Sequence, residues 1–120
     1  MSASDRDAAG PGTVNVRQVA AVVRSKNAGP FRLTLDILFK EQAVYERVKR
    51  SGTITAETIA GLYRLPADRV TDFVWFDPGK ALKVTLVRPV GSGGVGDTDV
   101  YGAQQHAPLL GLELPREVLG

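Results

Sequence analysis

The chain has 120 residues, no cysteine, and 15 Lys and Arg against 13 Asp and Glu, a formal net charge of +2. That length holds one domain able to bury a core without disulfides or a structural metal. The missing thiols exclude a cysteine nucleophile, a disulfide framework and cysteine-ligated zinc, which fits a reducing, cytoplasmic setting, and the basic residues are scattered among acids rather than gathered into the cationic footprint that DNA or RNA binding needs.

Met1 to Gly12 is small and charged with no hydrophobic segment, so it reads as a disordered N-terminal arm and not a secretory signal, ahead of a single domain over 13–120. The longest apolar run, Val19 to Val23, is far below the roughly 20 residues that span a bilayer, so no membrane association is expected. From Thr13 to Arg24, valines at 14, 16, 19, 22 and 23 predict a strand, with Ser25 to Pro30 as the connection that follows. Leu33, Leu35, Ile37 and Phe39 alternate with Arg32, Thr34, Asp36 and Leu38, the period of a strand with one buried face, and it is expected to pair antiparallel with the first.

Over Lys40 to Arg50 the period changes: Val44 and Val48 stand four apart beside Tyr45, which predicts a short amphipathic helix stopped by Gly52. Thr55 is a suitable N-cap for a second helix, with Glu57 in its first turn, Ile54 and Ile59 placed as a hydrophobic staple, and Ile59, Leu62 and Tyr63 on its buried face. Pro66 is expected to end it. Val70 to Phe76, the turn Asp77-Pro78-Gly79-Lys80, and the alternation of Leu82, Val84 and Leu86 predict a β-hairpin closed by Pro89. Trp75 and Phe76, adjacent on a strand, must face opposite sides of the sheet; core packing accounts for one and a partner surface for the other. Gly91 to Gly96 reads as a flexible loop, and Leu109 to Leu119 offers apolar residues to dock on the sheet or on another chain. The order of elements gives the α+β class, with two helices on one face of an antiparallel sheet.

Two polar segments interrupt this frame. In the first, Arg24, Lys26 and Asn27 beside Gly29 suit an anion-binding turn or, equally, a solvated one with ordinary surface charges. In the second, Asp97 and Asp99 lie two apart without further oxygen ligands, which suits a cap or Asx-turn better than a metal, so none is assigned. His106, the single histidine, has Tyr101, Gln104 and Gln105 nearby to orient it as a general base or acid, or to hold it as a structural hydrogen-bonding residue. No nucleophile elbow, P-loop or dinucleotide fingerprint is present, and no cofactor is expected.

The segments RSKNAGPF (24–31), TLDILF (34–39), WFDP (75–78) and GDTDVYGAQQHAPLL (96–110) resemble the domain-of-unknown-function 4387 family, over about Val16 to Leu114. That family in turn resembles the ferredoxin-like small domain of AtuA-like (acyclic terpene utilisation) proteins. In that domain a segment of the type Arg-Ser-Gly-Asp-Lys-Gly-Asp follows the first strand; here Arg24-Ser25 is shared but the acids are replaced by Lys26-Asn27-Ala28-Gly29-Pro30. The resemblance implies a ferredoxin-like sandwich and a small subunit that completes an active site with a large AtuA-like partner in a hetero-oligomer. The implied reaction is a hydro-lyase step (hydratase or dehydratase) on a CoA-linked or free hydroxy acid. On that reading Arg24, Ser25, Lys26, Asn27 and Gln105 bind substrate, and His106, Asp99 and Tyr101 line the reacting end. Two alternatives stand beside it: a non-catalytic module that stabilises a larger enzyme, and an enzyme built from copies of this chain alone.

Overall fold

A computed structural model of the chain describes residues 12–29, 31–88 and 106–119. The arm expected over 1–12, apart from Gly12, and the loop expected at 91–96 lie outside them. In chain order the elements are β1 (Thr13–Asn15), α1 (Val16–Val19), β2 (Ala20–Asn27), β3 (Arg32–Phe39), α2 (Gln42–Ser51), α3 (Ala56–Leu62), β4 (Val70–Phe76), β5 (Ala81–Val87) and β6 (Glu113–Pro115). Short 3₁₀ turns cover Ala67–Arg69, Asp77–Gly79, Ala107–Gly111 and Arg116–Leu119.

Alternation along the strands sorts the main sheet into two faces. Its order is β2-β3-β5-β4 with every neighbouring pair antiparallel. Leu33, Leu35 and Ile37 of β3 lie opposite Leu86, Val84 and Leu82 of β5, and all six are buried. Over this inner face pack Tyr45 and Val48 from α2, Ile54 and Ile59 at α3, and Leu109, Leu112 and Leu114 from the C-terminal segment. Each such leucine removed from water contributes about 2 kcal/mol. The result is an α+β sandwich with its helices on one face of an antiparallel sheet, compatible with a ferredoxin-like layering. The tail docks on this core, its β6 pairing antiparallel with β1 in a separate two-stranded sheet. Among the described residues no helix is long and apolar enough to cross a membrane.

Local chemistry explains the helix boundaries. Thr55 Oγ1 accepts the Thr58 N–H (3.1 Å), Ile54 and Ile59 are both buried, and Gly52 takes a left-handed φ of 70° at the end of α2. α3 stops at Leu62, before Pro66, because the chain curls back: Tyr63 N–H and Leu65 N–H both donate to Ala60 O at 2.9 Å, with Arg64 at φ 59° between them. The β4–β5 turn runs over Asp77–Gly79 as expected, and Lys80 leaves it at φ 51°.

The first predicted strand is broken. Instead of one strand over Thr13 to Arg24, β1 ends at Asn15, whose side chain accepts the Arg17 N–H (2.9 Å) and caps the single turn of α1. Val16 N–H donates to Leu112 O (2.9 Å), which ties that turn to the tail and buries Val16. β2 then continues through Asn27, well into the residues expected to form the connection. A bulge marks its start: Ala20 lies opposite Phe39 and Val22 opposite Leu38, so Ala21 is the extra residue.

Trp75 and Phe76 divide as the strand period requires. Trp75 faces inward, edge-on to Tyr45 (5.8 Å between centroids) and Phe73 (6.0 Å), whereas Phe76 is 45% exposed on the outer face.

Candidate functional site

Because β2 pairs with β3 as far as Asn27, the first polar segment is a strand and its residues alternate between faces. Ser25 lies opposite Leu35 and Asn27 opposite Leu33, on the inner face, where both are half-buried. Arg24 lies opposite Asp36 and Lys26 opposite Thr34, on the outer face, where both are exposed. The turn itself is only Ala28 to Phe31, closed by Ala28 N–H to Arg32 O (3.0 Å), with Gly29 at φ 118°. Four of the five residues expected to bind substrate are therefore split between two surfaces, and of the three expected to hold its anion, Asn27 is parted from Arg24 and Lys26.

Arg24 has a partner within the fold. Its Nε donates to Asp36 Oδ2 (3.0 Å), and Lys83 Nζ donates to Asp36 Oδ1 (3.2 Å) from the neighbouring strand. The two long cationic side chains screen the carboxylate, so Asp36 is only 9% exposed on a sheet face that no described element covers. One carboxylate between two cations leaves this group with one net positive charge.

At the other end of the chain, His106 is half-buried and precedes the turn Ala107–Gly111, its carbonyl accepting the Leu109 N–H (2.9 Å). Leu109 is fully buried, and its backbone hydrogen-bonds the Tyr63 side chain. Burial pushes the Tyr63 phenol well above its usual range, opposed by that bond and by the nearby Arg88 charge. Arg88 in turn donates its backbone N–H to Phe31 O (2.7 Å), in the turn that follows β2. Backbone hydrogen bonds tie Arg88 to the β2–β3 turn and Leu109 to His106, and Tyr63, bonded to the Leu109 backbone, lies within the influence of the Arg88 charge, so these groups share one end of the sheet. Asp99, Tyr101 and Gln105 lie outside the described residues. Among the described residues there is no group of three or more His, Asp or Glu that could hold a metal ion.

The model of the family described as Domain of unknown function (DUF4387) matches residues 16–113. The chain belongs to the DUF4387 family. No curated protein and no solved structure gives a match. The DUF4387 match takes in α1 through the first residue of β6, and so includes both polar segments and both faces of the main sheet.

Tyr63 and Arg88 are the polar members of this end that sequence reading passed over. Tyr63 reads as one more residue on an apolar helix stripe, yet a buried tyrosine carries a hydroxyl that must find a partner. Arg88 continues the inward alternation of Leu82, Val84 and Leu86 by one step.

A second polar cluster in the DUF4387 domain sits at the opposite end, under the β4–β5 turn. Tyr45 Oη donates to Asp77 Oδ1 (2.6 Å) and Lys49 Nζ donates to the same oxygen (2.8 Å). The Lys49 bond, and then the Tyr45 bond, hold the Asp77 carboxyl below the usual 3.8, while burial of the Tyr45 ring, with the carboxylate beside it, raises its phenol. A depressed carboxyl contributes stability above pH 3.8 and loses it as the pH falls from there through the lower folded value. Asp77→Asn is accordingly expected to flatten the loss of stability below pH 3.8, read by urea titrations at stepped pH. An acid limb as steep as that of the unaltered chain would show that Asp77 does not contribute to it.

Proposed function

We propose that this chain is the cytoplasmic small subunit of a two-component enzyme completed by a large AtuA-like partner, a hydro-lyase acting on a CoA-linked or free hydroxy acid. What supports this reading is the shared location of the β2–β3 turn and the His106 turn, linked through Arg88, Tyr63 and Leu109. Dehydration of a hydroxy acid removes a proton next to a carbonyl while hydroxide departs with a second proton. In the proposed site His106 takes the first proton and Asp99 or Tyr101 assists the departing oxygen. Ser25, Asn27 and Gln105 orient the substrate, and Arg88 brings positive charge to the same end for its carboxylate or thioester oxygen. Arg24 and Lys26 face the other side of the sheet and serve a different surface.

The alternative is a non-catalytic module that stabilises its large partner. The pairing of Arg24 with Asp36 favours it, since that guanidinium is already engaged within the fold. Co-expression with the large AtuA-like chain separates the two readings. His106→Ala is expected to lower turnover by about a hundredfold or more, the usual worth of a positioned acid or base, with the complex intact by gel filtration. Turnover unchanged in an intact complex leaves the scaffolding reading in its place.

A further inference from the structure

The outer face of the main sheet is a grid whose rows follow from strand register. One row reads Val22, Leu38, Ala81, Phe76; the next Arg24, Asp36, Lys83, Val74; the third Lys26, Thr34, Thr85, Asp72. Val22, Val74 and Phe76, at 40, 50 and 45% exposure, are three of the four large apolar side chains that the described residues leave exposed. No described helix or strand packs on this face. Isolated apolar residues at a surface are ordinary, but three on one sheet face beside a row of charges mark an interface.

We infer that this face is the contact between two copies of the chain, related by a two-fold axis that runs parallel to the strands between β3 and β5. Such an axis lays β2 of one copy on β4 of the other and β3 on β5, row upon row. Val22 then meets Phe76 of the second copy, Asp36 meets Lys83, and Lys26 meets Asp72, while Leu38 lies over Ala81, which its own chain already covers at 3% exposure. The aliphatic stem of Arg24 lies over Val74 while its guanidinium keeps Asp36. Apolar positions face apolar positions, and each of those two carboxylates faces a lysine.

The charge pattern selects this axis. A two-fold in the sheet plane but perpendicular to the strands, passing through the middle row, stacks each strand on itself and places Arg24, Asp36 and Lys83 on their own like, with cation on cation and carboxylate on carboxylate. Packed sheets lie about 10 Å apart with strands crossing at about 30°, so the match is closest near the axis at Asp36, Lys83, Thr34 and Thr85. Towards the edges it drifts, where the long Lys26 side chain bridges the offset to Asp72. Complementarity of a face to itself under one axis is what an isologous contact requires, and nothing ties an unrelated partner to that pattern. A face of four strands is about 25 Å by 19 Å in projection, less than the roughly 800 Å² per partner of a standard interface, so the dimer is expected to be concentration-dependent.

Sedimentation equilibrium on the full chain over a wide concentration range tests this directly and needs no large subunit. A monomer–dimer equilibrium is expected, with Phe76→Asp raising its dissociation constant about tenfold or more, a change of about 1.4 kcal/mol. Lys26→Asp and Asp72→Lys should each weaken the dimer and the double exchange restore it, with far-ultraviolet circular dichroism unchanged throughout. A chain monomeric at every concentration overturns the inference, as does a dimer indifferent to Phe76→Asp or to the charge exchange. Slow amide exchange at Val74 to Phe76 in a monomer would assign the face to residues 89–105 instead. Phe76-dependent binding of the large AtuA-like chain by a monomer would assign it to that partner, again against a second copy; neither result touches the proposed chemistry at His106.

Discussion

Truncation after Gly111 is expected to abolish cooperative unfolding, although it removes only a short tail. Leu112 and Leu114 are 2% and 0% exposed, and Val118 and Leu119 pack against the same core. Two fully buried leucines contribute about 2 kcal/mol each, and two half-buried residues add about as much as one more, against a total stability of about 5–15 kcal/mol for a domain. Polar ties go with them. β1 loses its partner strand, Val16 N–H loses the Leu112 carbonyl, and Arg47 Nη1 loses the Leu119 carbonyl (2.9 Å). Thermal melts by circular dichroism read the outcome. A truncated chain that still melts in one sharp transition near the temperature of the full chain would mean that the tail is decoration. Leu114→Ala alone should lower stability by about 2–5 kcal/mol, with its cross-strand partner Val14 left facing the gap.

Tyr45→Ala is the second change of large effect, with an expected cost of about 3–5 kcal/mol by urea titration. The ring is fully buried and stands edge-on to both Phe39 and Trp75 at 5.8 Å, so its loss leaves a cavity between α2 and the sheet that these two large rings cannot fill. Tyr45→Phe separates the ring from the hydroxyl. It forfeits only the bond to Asp77, whose oxygen keeps Lys49 and stays near solvent, and should cost about 1 kcal/mol. Equal losses in the two variants would put the stabilisation in the Tyr45–Asp77 bond and not in the packing of the ring.

The elements that could be read from sequence are those whose determinants are local. The period-two run around Leu33 to Phe39, the helix with Tyr45 and Val48, the Thr55 cap and the Asp77-Pro78-Gly79 turn each carry pattern and boundary within a few residues, and all four are in the structure. α1 was hidden because valine favours strands and the break depends on two remote facts: the Asn15 side chain turning onto Arg17 N, and a carbonyl at Leu112 waiting for Val16. The division of Trp75 from Phe76 followed from alternation alone. That of Arg24 and Lys26 from Ser25 and Asn27 did not, because β2 was expected to end at Arg24, and alternation says nothing about residues assigned to a turn. The meeting of Phe31, Arg88, Tyr63 and Leu109 is a product of topology, joining four segments that no short window contains together.

The bulge at Ala21 decides more than the twist of an edge strand. Upstream of it Ala20 is anchored inward against Phe39; downstream Val23, Ser25 and Asn27 point inward while Arg24 and Lys26 point outward. The extra residue acts as a phase shifter between these halves: a regular ladder running on from Ala20 opposite Phe39, with Ala21 opposite Leu38, would exchange the residues facing His106's end with those facing the outer grid, with no change in composition. Deleting Ala21 therefore irons out the bulge and leaves both surfaces as they are, whereas a second residue inserted beside it must either widen the bulge or slip β2 by one place and exchange what each side of the sheet presents.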